Sequence, residues 1–369
     1  MTIYKRLGDY IREVNVRNRE LKVTNLQGVS ISKMFIPSIA NTIGTDMSTY
    51  KIVKPGQFAY GPVTSRNGDK VSIALYDGSE DAIISQAYTV FDVIDKNEVS
   101  NKYLMMWFQR PEFDRYARFH SHGSAREVFE WEELCDVMLP IPSIERQLEI
   151  VSEYETLTNR IHLNEQMIQH LEATAQALYR KMFVDGVDKE NLPDGWRMGT
   201  LGEVAECFDY MRRPLAGYDR INMEKKYPYY GAASLMDFVD DFLFDGTYIL
   251  MGEDGTVINE DNTPVIQYVT GKFWVNNHAH ILKGINGFNE NLLYLALKQT
   301  KVNEYITGGV QAKINQENMI SIPLLIPTMD DLKEITTNIE PLFHAMLMKK
   351  QETEKLTELQ SLLLAKMGK

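Results

Sequence analysis

Two stretches of the chain have similar sequences and lie 185 residues apart. MLPIPSIERQLEI covers residues 138–150, and LLIPTMDDLKEI covers residues 324–335. The same offset aligns further positions along the chain: Gly123 with Gly308, Ile141 with Ile326, Leu171 with Leu356 and Met182 with Met367. Only two copies are present, so the repeat indicates a duplicated unit rather than a solenoid, which needs at least three. Each copy consists of a globular half followed by a helix.

Each copy ends in a segment with the spacing of a coiled-coil helix. Mostly apolar residues recur at alternating steps of four and three from Ile150 to Met182 and from Ile335 to Met367. This spacing is the a/d pattern of a heptad repeat. Between residues 151–181 and 342–367 there is no proline or glycine, so each segment can form one continuous helix. Pro341 comes early in the second segment, as a first-turn proline or at a kink.

Two arrangements of these helices fit the pattern. Each helix packs only against its own globular half, or the two helices pair, and about four to five heptads of narrow seam favour pairing. The first helix leaves the first half and reaches the second, so an antiparallel pair is the simplest solution. Thirty-odd residues at a rise of 1.5 Å extend roughly 50 Å. The sequence therefore predicts a dumbbell, with two heads, a stiff spacer and a pseudo-two-fold axis between them.

Polar residues interrupt the apolar seam of the predicted spacer. Asn164 and Lys349 occupy equivalent positions of the repeat. Full antiparallel overlap, with Ile150 facing Met367, places Asn164 opposite Thr353. A polar residue at an a or d position costs stability and fixes the register of a coiled coil. We therefore predict that Asn164 and Thr353 set the register of the spacer.

The heads combine short β-rich runs with helices, which predicts an α+β fold with a mixed sheet. QFAYGPV, KVSIALY and AYTVFDVI are typical of strands in the first head, as are YILMG, PVIQYVTG, FWVNN and AHILKGI in the second. NKYLMMWFQRPEFDRYA and NENLLYLALKQTKVNEYI predict the matching helix in each. The linker FVDGVDKENLPDGWR separates the copies. The predicted boundaries are residues 1–143 and 185–328 for the heads, and 144–184 and 329–369 for the helices.

The charge of the chain restricts how it could bind nucleic acid. The net charge of −12 argues against binding through bulk charge. Residues 1–143 carry 17 basic and 18 acidic residues, whereas residues 186–328 carry 12 and 19. Any contact with DNA must therefore come from local loops or be helped by a more basic partner.

Cysteine usage and hydropathy indicate the compartment. Cys135 and Cys207 belong to no paired motif. No apolar run reaches the roughly 18 residues of a membrane span, and the first residues lack the apolar segment of a signal peptide. We therefore expect a cytoplasmic protein with reduced thiols.

Motifs of the common enzyme classes are absent from the sequence. It contains no Gly-x-x-x-x-Gly-Lys-Ser/Thr loop, no (Asp/Asn)-Pro-Pro-(Tyr/Phe) stretch, no Gly-x-Ser-x-Gly elbow and no paired CxxC. Two His-x-His pairs, His120/His122 and His278/His280, could place both imidazoles toward a metal on one face of a strand. No third ligand follows at a motif spacing, so roles in polar loops or DNA contacts are favoured. We predict no catalytic residue, no metal and no cofactor.

The duplicated layout, the opening LPDGW…LGEV and the closing GGVQAKINQENMISIPLLIP resemble the DNA-specificity subunit of type I restriction-modification enzymes. The resemblance covers essentially the whole chain. It implies that the heads are target recognition domains, each reading one half of a split DNA sequence. It also implies that the helices set the gap and dock two methyltransferase subunits, with restriction translocase subunits as further partners. The first head departs from the pattern, because it starts at YKRLGDY without an LPxGW opening, which leaves its N-terminal boundary open.

Base readout needs Arg, Asn, Gln or hydroxyl side chains on loops, and phosphate anchoring needs Lys, Arg or backbone N–H groups. In the first head the candidates come from GPVTSRNGDK and HSHGSAREV: Ser65, Arg66, Asn67, Lys70, His122, Ser124 and Arg126. In the second head they come from TGKFWVNNHAH and GGVQAK: Lys272, Asn276, Asn277, His278, Gln311 and Lys313. The repeat makes Arg126 and Gln311 equivalent, which favours both. The structural alternatives are a plain Asn-Gly turn at Asn67 and a buried, hydrogen-bonded Asn276 or Asn277.

These features predict a non-catalytic, sequence-specific DNA-binding subunit. An enzyme with an unrecognised site is one alternative, and the missing motifs weigh against it. A protein-binding scaffold without direct base readout is the other, favoured by the acidic second head.

Overall fold

The computed structural model describes residues 4–38, 44–65, 67–123, 126–309 and 311–368. The chain forms two compact units, Met1–Leu163 with Glu352–Lys369, and Asn164–Gln351. Each unit combines one head with a part of both long helices. The segments predicted as a separate spacer are therefore shared between the two units.

None of the described helices combines the length and the apolar character that crossing a membrane requires.

The first unit contains short strands, three short helices and the start of a long helix. The strands are β1 (Tyr4–Arg6), β2 (Ile11–Val14), β3 (Gln27–Val29), β4 (Phe35–Pro37), β5 (Lys51–Val53), β6 (Phe58–Tyr60), β7 (Ile73–Leu75), β8 (Ala82–Ile84), β9 (Thr89–Val93) and β10 (Met138–Pro140). The helices are α1 (Asn101–Gln109), α2 (Pro111–Phe119), α3 (Trp131–Cys135) and the long α4 (Ile144–Phe183), with 3₁₀ turns at Leu7–Asp9 and Met47–Thr49. Strands β2, β9, β6 and β7 form an antiparallel sheet in that order, and the pairs β1–β10, β3–β4 and β5–β8 stand apart.

The second unit contains a larger sheet and the second long helix. The strands are β11 (Arg197–Thr200), β12 (Ala205–Cys207), β13 (Tyr227–Tyr230), β14 (Leu235–Val239), β15 (Phe244–Gly252), β16 (Ile266–Val275), β17 (Ala279–Gly284) and β18 (Pro323–Ile326). The helices are α5 (Leu201–Val204), α6 (Gly217–Arg220), α7 (Glu290–Leu297), α8 (Gln316–Ile320) and α9 (Met329–Lys366), with 3₁₀ turns at Asp209–Met211 and Asn303–Tyr305. The six-stranded sheet has the order β12-β17-β15-β16-β13-β14, and its β13–β16 pair is parallel. The predicted α+β class with a mixed sheet is confirmed.

Two predicted elements differ in the structure, each for a local reason. The first-head segment predicted as one helix breaks into α1 and α2 at Arg110, whose ψ of 135° is extended. The ring of Pro111 excludes the helical conformation from the residue before it. In the second head, PVIQYVTG and FWVNN form one strand, β16. It continues through Gly271, which has φ +85° and lies opposite Gly246 of β15 with φ +130°.

In both copies of the repeat, the strand that begins the head pairs with the strand that ends it. In the first unit β1 pairs antiparallel with β10, and in the second unit β11 pairs antiparallel with β18. Helices α3 and α8 start at equivalent positions, Trp131 and Gln316, and each comes just before the closing strand. The duplication read from the sequence is therefore a duplication of structure.

The long helices pack antiparallel within each unit. In the first unit Ile150 and Tyr154 of α4, Leu363 of α9 and Met367, just after α9, pack into the head's core. Gln360 of α9 donates from Nε2 to Thr158 Oγ1 of α4 at 2.7 Å, and Arg160 pairs with Glu352 at 2.7 Å. The predicted register places Gln360 opposite Leu157, next to the observed partner.

The same pairing continues in the second unit. There Ala175 and Tyr179 of α4 and Ile335, Ile339 and Phe343 of α9 are buried in the core of the second head. The prediction that the two helices pair is confirmed. The ends of both helices also pack against the heads, as the alternative arrangement predicted.

Of the two polar seam positions predicted to set the register, Asn164 is buried and Thr353 is half-buried. Asn164 is 1% exposed. Its Nδ2 atom and the Oγ1 atom of Thr353 have no hydrogen-bond partner among the described residues. Asn164 and Thr353 belong to different units, and their pairing stays a prediction. Pro341 lies inside α9 rather than in its first turn.

The LPDGW segment connects the two long helices in the second unit. Trp196 packs on Phe183, the last residue of α4, with ring centroids 5.4 Å apart. Its indole Nε1 donates to Asp331 Oδ2 at 2.7 Å, in the first turn of α9. Thr328 caps that turn by accepting the Asp331 N–H at 3.2 Å. One side chain thus joins the end of α4 to the start of α9.

We expect Trp196→Phe to destabilise the second unit by about 1–2 kcal/mol, because it removes a hydrogen bond to a carboxylate and keeps most of the ring packing. Urea unfolding followed by circular dichroism measures the change. Asp331→Asn provides the matched variant, and the double variant should cost less than the sum of the two single changes. Full additivity would show that this bond does not contribute to stability.

Candidate nucleic-acid interface

In the first head, the structure brings two predicted loops together. They are the β6–β7 loop (residues 61–72) and the first glycine loop (residues 122–128). Thr64 N donates to Glu127 O at 2.9 Å, and Val63 forms an antiparallel bridge with Val128. Arg118 of α2 joins Glu127 in an ion pair at 2.6 Å. Ser65 and Lys70 therefore lie on a loop that is fastened to the loop carrying His122 and Arg126.

In the second head three connections meet. They are the β15–β16 loop (residues 253–265), the β16–β17 turn (residues 276–278) and the second glycine loop (residues 307–313). Glu253 N donates to His278 O at 2.8 Å, and Gly255 N donates to Ala312 O at 3.0 Å. Asn277, His278 and Gln311 are exposed there. The second set of predicted residues thus converges on one region of the head, with the exception of Lys272.

In their described residues, the two glycine loops share a backbone bridge and a glycine that passes close to a carbonyl oxygen. His122 bridges Val128 in the first, and Thr307 bridges Lys313 in the second, at equivalent positions of the repeat. Gly123 has φ +131° and Gly308 has φ +92°, a region that L side chains rarely adopt. A Cβ on Gly123 would lie 2.2 Å from Arg126 O, and a Cβ on Gly308 would lie 2.2 Å from Gln311 O. Glycine is therefore required at the same point of both loops.

A buried ionic network holds the loops of the second head. His280 is fully buried, and its Nδ1 lies 2.5 Å from Asp209 Oδ2 while its Nε2 lies 2.8 Å from Ile314 O. Both partners are acceptors, so the doubly protonated imidazolium satisfies both contacts. Arg212 and Lys313 pair with Glu253 at 2.5 and 3.2 Å.

The carboxyl groups of this network are stabilised in their charged form. Burial alone would raise the pKa values of Asp209 and Glu253. Hydrogen bonds and positive charge from His280 and Arg212 outweigh burial, so both pKa values are lowered. Since Arg212 also donates to Asn277 O and Ala279 O, the network reaches the β16–β17 turn directly.

One group of described residues has the composition of a metal site. Ligand atoms of Cys207, Asp209 and His280 lie within 4.8 Å of one another. Both His280 nitrogens already contact Asp209 and Ile314, and Arg212 lies 3.3 Å from Asp209. Burial, followed by the charge of Asp209, raises the pKa of the Cys207 thiol to about 12. These contacts favour an ion-pair network over metal ligation.

The two His-x-His pairs contact carboxylates. His120 and His122 both approach Glu133, at 2.8 and 3.8 Å. His278 contacts Asp254, whereas His280 contacts Asp209, so the second pair does not converge on one point. Both cysteines are free thiols, as the sequence indicated.

The predicted contact residues differ in their accessibility. Exposed residues are Ser65, Lys70, His122, Arg126, Lys272, Asn277, His278 and Gln311; half-buried residues are Asn67 and Lys313. Arg66 and Ser124 lie outside the described residues. Asn67 donates from Nδ2 to Val63 O at 3.2 Å, which supports its own turn.

Two predicted residues have structural environments. Asn276 is 3% exposed, and its Oδ1 accepts the His278 N–H at 2.8 Å, so it supports the β16–β17 turn from inside. Lys272 lies within β16, opposite Asp245, with its ammonium 4.5 Å from the centre of the Phe242 ring.

Sequence reasoning missed the residues that hold the loops in place. Thr64 is fully buried and donates from Oγ1 to Ser121 Oγ at 3.0 Å. Arg118 donates to Thr64, 54 residues away, and Arg212 donates to Ala279 O and Glu253, 67 and 41 residues away. No spacing in the chain connects these positions, because the fold alone brings them together.

Comparison with known proteins gives consistent matches. A family profile described as "Type I restriction modification DNA specificity domain" matches residues 47–173 and 193–358. A type I restriction enzyme specificity subunit from Haemophilus influenzae is 32% identical over 142 residues, which span 38% of this chain and 36% of that protein. The MjaX specificity subunit of Methanocaldococcus jannaschii is 19% identical over 366 residues, spanning 90% of this chain and 83% of that protein.

A solved structure has a similar fold. The S subunit of a type I restriction-modification system from M. genitalium aligns with a TM-score of 0.56 at 15% identity, covering 100% of this chain and 96% of that one. At this level of identity, the comparison supports the architecture of the chain.

We expect Gly308→Ala to disorder the second glycine loop, because the added Cβ meets a backbone oxygen and the φ angle is unfavourable by about 1–3 kcal/mol. Hydrogen exchange at residues 307–313 should speed up, while the β15–β17 ladder keeps its protection. Gly309→Ala is the matched control, since a Cβ there has no heavy atom within 4 Å. Equal exchange in the two variants would contradict the proposed constraint.

Proposed function

Because the chain belongs to the type I restriction-modification DNA specificity family, we propose that it is the non-catalytic subunit that recognises a bipartite DNA sequence. Each head reads one half of the site, and the two long helices set the gap between the halves. The chain acts in the cytoplasm as part of a complex with two methyltransferase subunits, to which restriction translocase subunits bind. It requires no cofactor of its own.

The observation that carries this proposal is the pair of equivalent glycine loops. Both heads hold a loop of the same backbone geometry, and both leave the side chain at the same position, Arg126 or Gln311, exposed. Arginine can bind the guanine edge and glutamine the adenine edge through two hydrogen bonds each in the major groove. Different side chains on equivalent backbones support two different half-sequences.

The neighbouring loops supply the remaining contacts. In the first head these are Ser65 and Lys70 of the β6–β7 loop, with His122 at the start of the glycine loop, and Arg66 and Ser124 remain predicted contacts outside the described residues. In the second head Asn277 and His278 serve this role, with Lys313 at the end of the loop. Asn276 and Asn67 support their turns, and Lys272 contributes a more distant positive charge.

Exposed apolar residues on the long helices support the docking of partner subunits. Leu148, Leu359 and Leu362 are between 50% and 59% exposed in the first unit, and Met348 is 50% exposed in the second. A protein-binding scaffold alone would also need such surfaces. A scaffold without base readout would not direct methylation to a specific sequence. Sequence-specific methylation therefore distinguishes the two functions.

We expect Arg126→Ala to relax recognition of one half-site and Gln311→Ala to relax the other, each by roughly 1–3 kcal/mol if the side chain binds a base through two hydrogen bonds. Genome-wide mapping of methylated adenines in cells carrying the complete system measures this. Gly309→Ala, within the second loop, should leave both halves unchanged, because a Cβ there meets no heavy atom within 4 Å. Loss of both half-sites from either single change would indicate misfolding and contradict the assignment.

We expect deletion of residues 155–161 together with 356–362 to shorten the gap by about 3 base pairs, since seven residues span roughly 10 Å of helix and each base pair adds about 3.4 Å. The two segments face each other in the predicted register, and a heptad deletion preserves the seam. Insertion of a heptad at the same places should lengthen the gap. An unchanged gap with altered half-sequences would show that the helices do not set the spacing.

A further inference from the structure

A cleft in the first unit is lined by several cationic side chains. It has a volume of about 770 Å³ and lies between the β3–β4 turn, the end of the β6–β7 loop, helix α2 and the two long helices, which contribute Tyr154 and Leu364. Its charged lining consists of four cations and two carboxylates: Lys33, Lys70, Arg115, Arg118, Asp69 and Asp114. Four positive and two negative charges leave +2 in the lining itself, and two of these cations, Arg115 and Arg118, also pair with carboxylates outside the lining, Glu112 and Glu127.

The floor of the cleft is a buried ion pair that joins three elements. Lys33 of the β3–β4 turn lies 2.8 Å from Asp114 of α2, with side chains 6% and 12% exposed. Asp114 also accepts the backbone N–H of Val71, next to Lys70, at 3.0 Å. The negative charge of Asp114 is therefore paired with Lys33 inside the protein.

Lys33 is buried in the cleft, whereas Lys70 and Arg115 are exposed. Burial lowers the pKa of Lys33, the Asp114 carboxylate opposes that effect, and the positive charge of Lys70 lowers it further. Lys70 is exposed, and the Arg115 side chain is 70% exposed. These two cations at the mouth are accessible to an anion outside the protein.

Helix α2 connects the cleft to the loops of the proposed DNA interface. Arg118, which lines the cleft, pairs with Glu127 of the first glycine loop at 2.6 Å. Phe119, the last residue of α2, is 82% exposed and lies four residues after Arg115, so the two share a face of the helix. A nearly fully exposed phenyl ring beside accessible cations fits a surface that is covered in a complex, and apolar side chains contact bases and sugars in DNA grooves.

We propose that this cleft binds the DNA backbone beside the half-site read by the first head, with Lys70 and Arg115 contacting phosphates and Phe119 contacting an adjacent sugar or base. The inference rests on the proposed function and adds a sequence-independent anchor to it. Phosphate contacts position a protein on DNA and carry no base information. The anchor therefore strengthens binding to every sequence.

The test compares charge-neutralised variants of the chain assembled with its methyltransferase subunits. The probe is a duplex containing the mapped site, and the dissociation constant is measured over a range of salt concentrations. In Lys70→Gln/Arg115→Gln the slope of log K against log salt should fall by about two, roughly one for each lost phosphate contact. The preference for the correct over a mutated half-site should stay the same.

Matched controls separate the cleft from general charge. Lys96→Gln/Lys102→Gln removes the same amount of charge near the start of α1, whereas only the far end of α1, at Gln109, lines the cleft. This control pair should leave the slope of log K against log salt unchanged. Phe119→Ala should weaken binding without altering the slope, because it removes an apolar contact only.

An unchanged slope in Lys70→Gln/Arg115→Gln, or an equal change in the control pair, overturns the proposal. Loss of methyltransferase assembly with an intact salt slope would also overturn it, because the cleft would then face a protein partner. A wild-type complex without site-specific binding contradicts the proposed function itself, and that result is visible before any variant is compared.

Discussion

Burial of the apolar seam of α4 and α9 is the constraint on which both units depend. The start of α4 and the end of α9 complete the core of the first head, against which Ile150 and Leu363 pack, and their other halves complete the second core through Ala175 and Ile339. At roughly 1.5–3 kcal/mol for each large apolar side chain buried, these contacts are a major part of the stability of either unit. A substitution in the seam therefore acts on a head as well as on a helix.

The sequence predicted the features that repeat or alternate. The offset between Ile141 and Ile326 predicted the duplicated scaffold, and the heptad pattern predicted the antiparallel pairing that Gln360 and Thr158 now show. The break at Arg110 could have been anticipated, since Pro111 restricts its neighbour, but the apolar periodicity across it concealed the break. The continuity of β16 through Gly271 depends on Gly246 in the partner strand, which no local pattern can show.

The candidate interface was predicted in part. Loops that carry Arg126 and Gln311 were found because the repeat aligns them, and the structure leaves both side chains exposed. The anchoring residues were missed because their roles arise from distant partners, as with Arg212 and Glu253. The two heads also hold their loops in place through different interactions. The first uses the hydroxyl of Thr64 with one ion pair, whereas the second buries several charges around His280.

In the glycine loops, the backbone and the side chains have separate roles. At Gly123 and Gly308 the backbone passes close to a carbonyl oxygen, while Arg126 and Gln311 are exposed. Replacing the residue at either position therefore costs the fold little and changes the surface that the loop presents. Under the proposed function, a lineage of such proteins would acquire new target sequences at these positions one residue at a time, without first losing a stable scaffold.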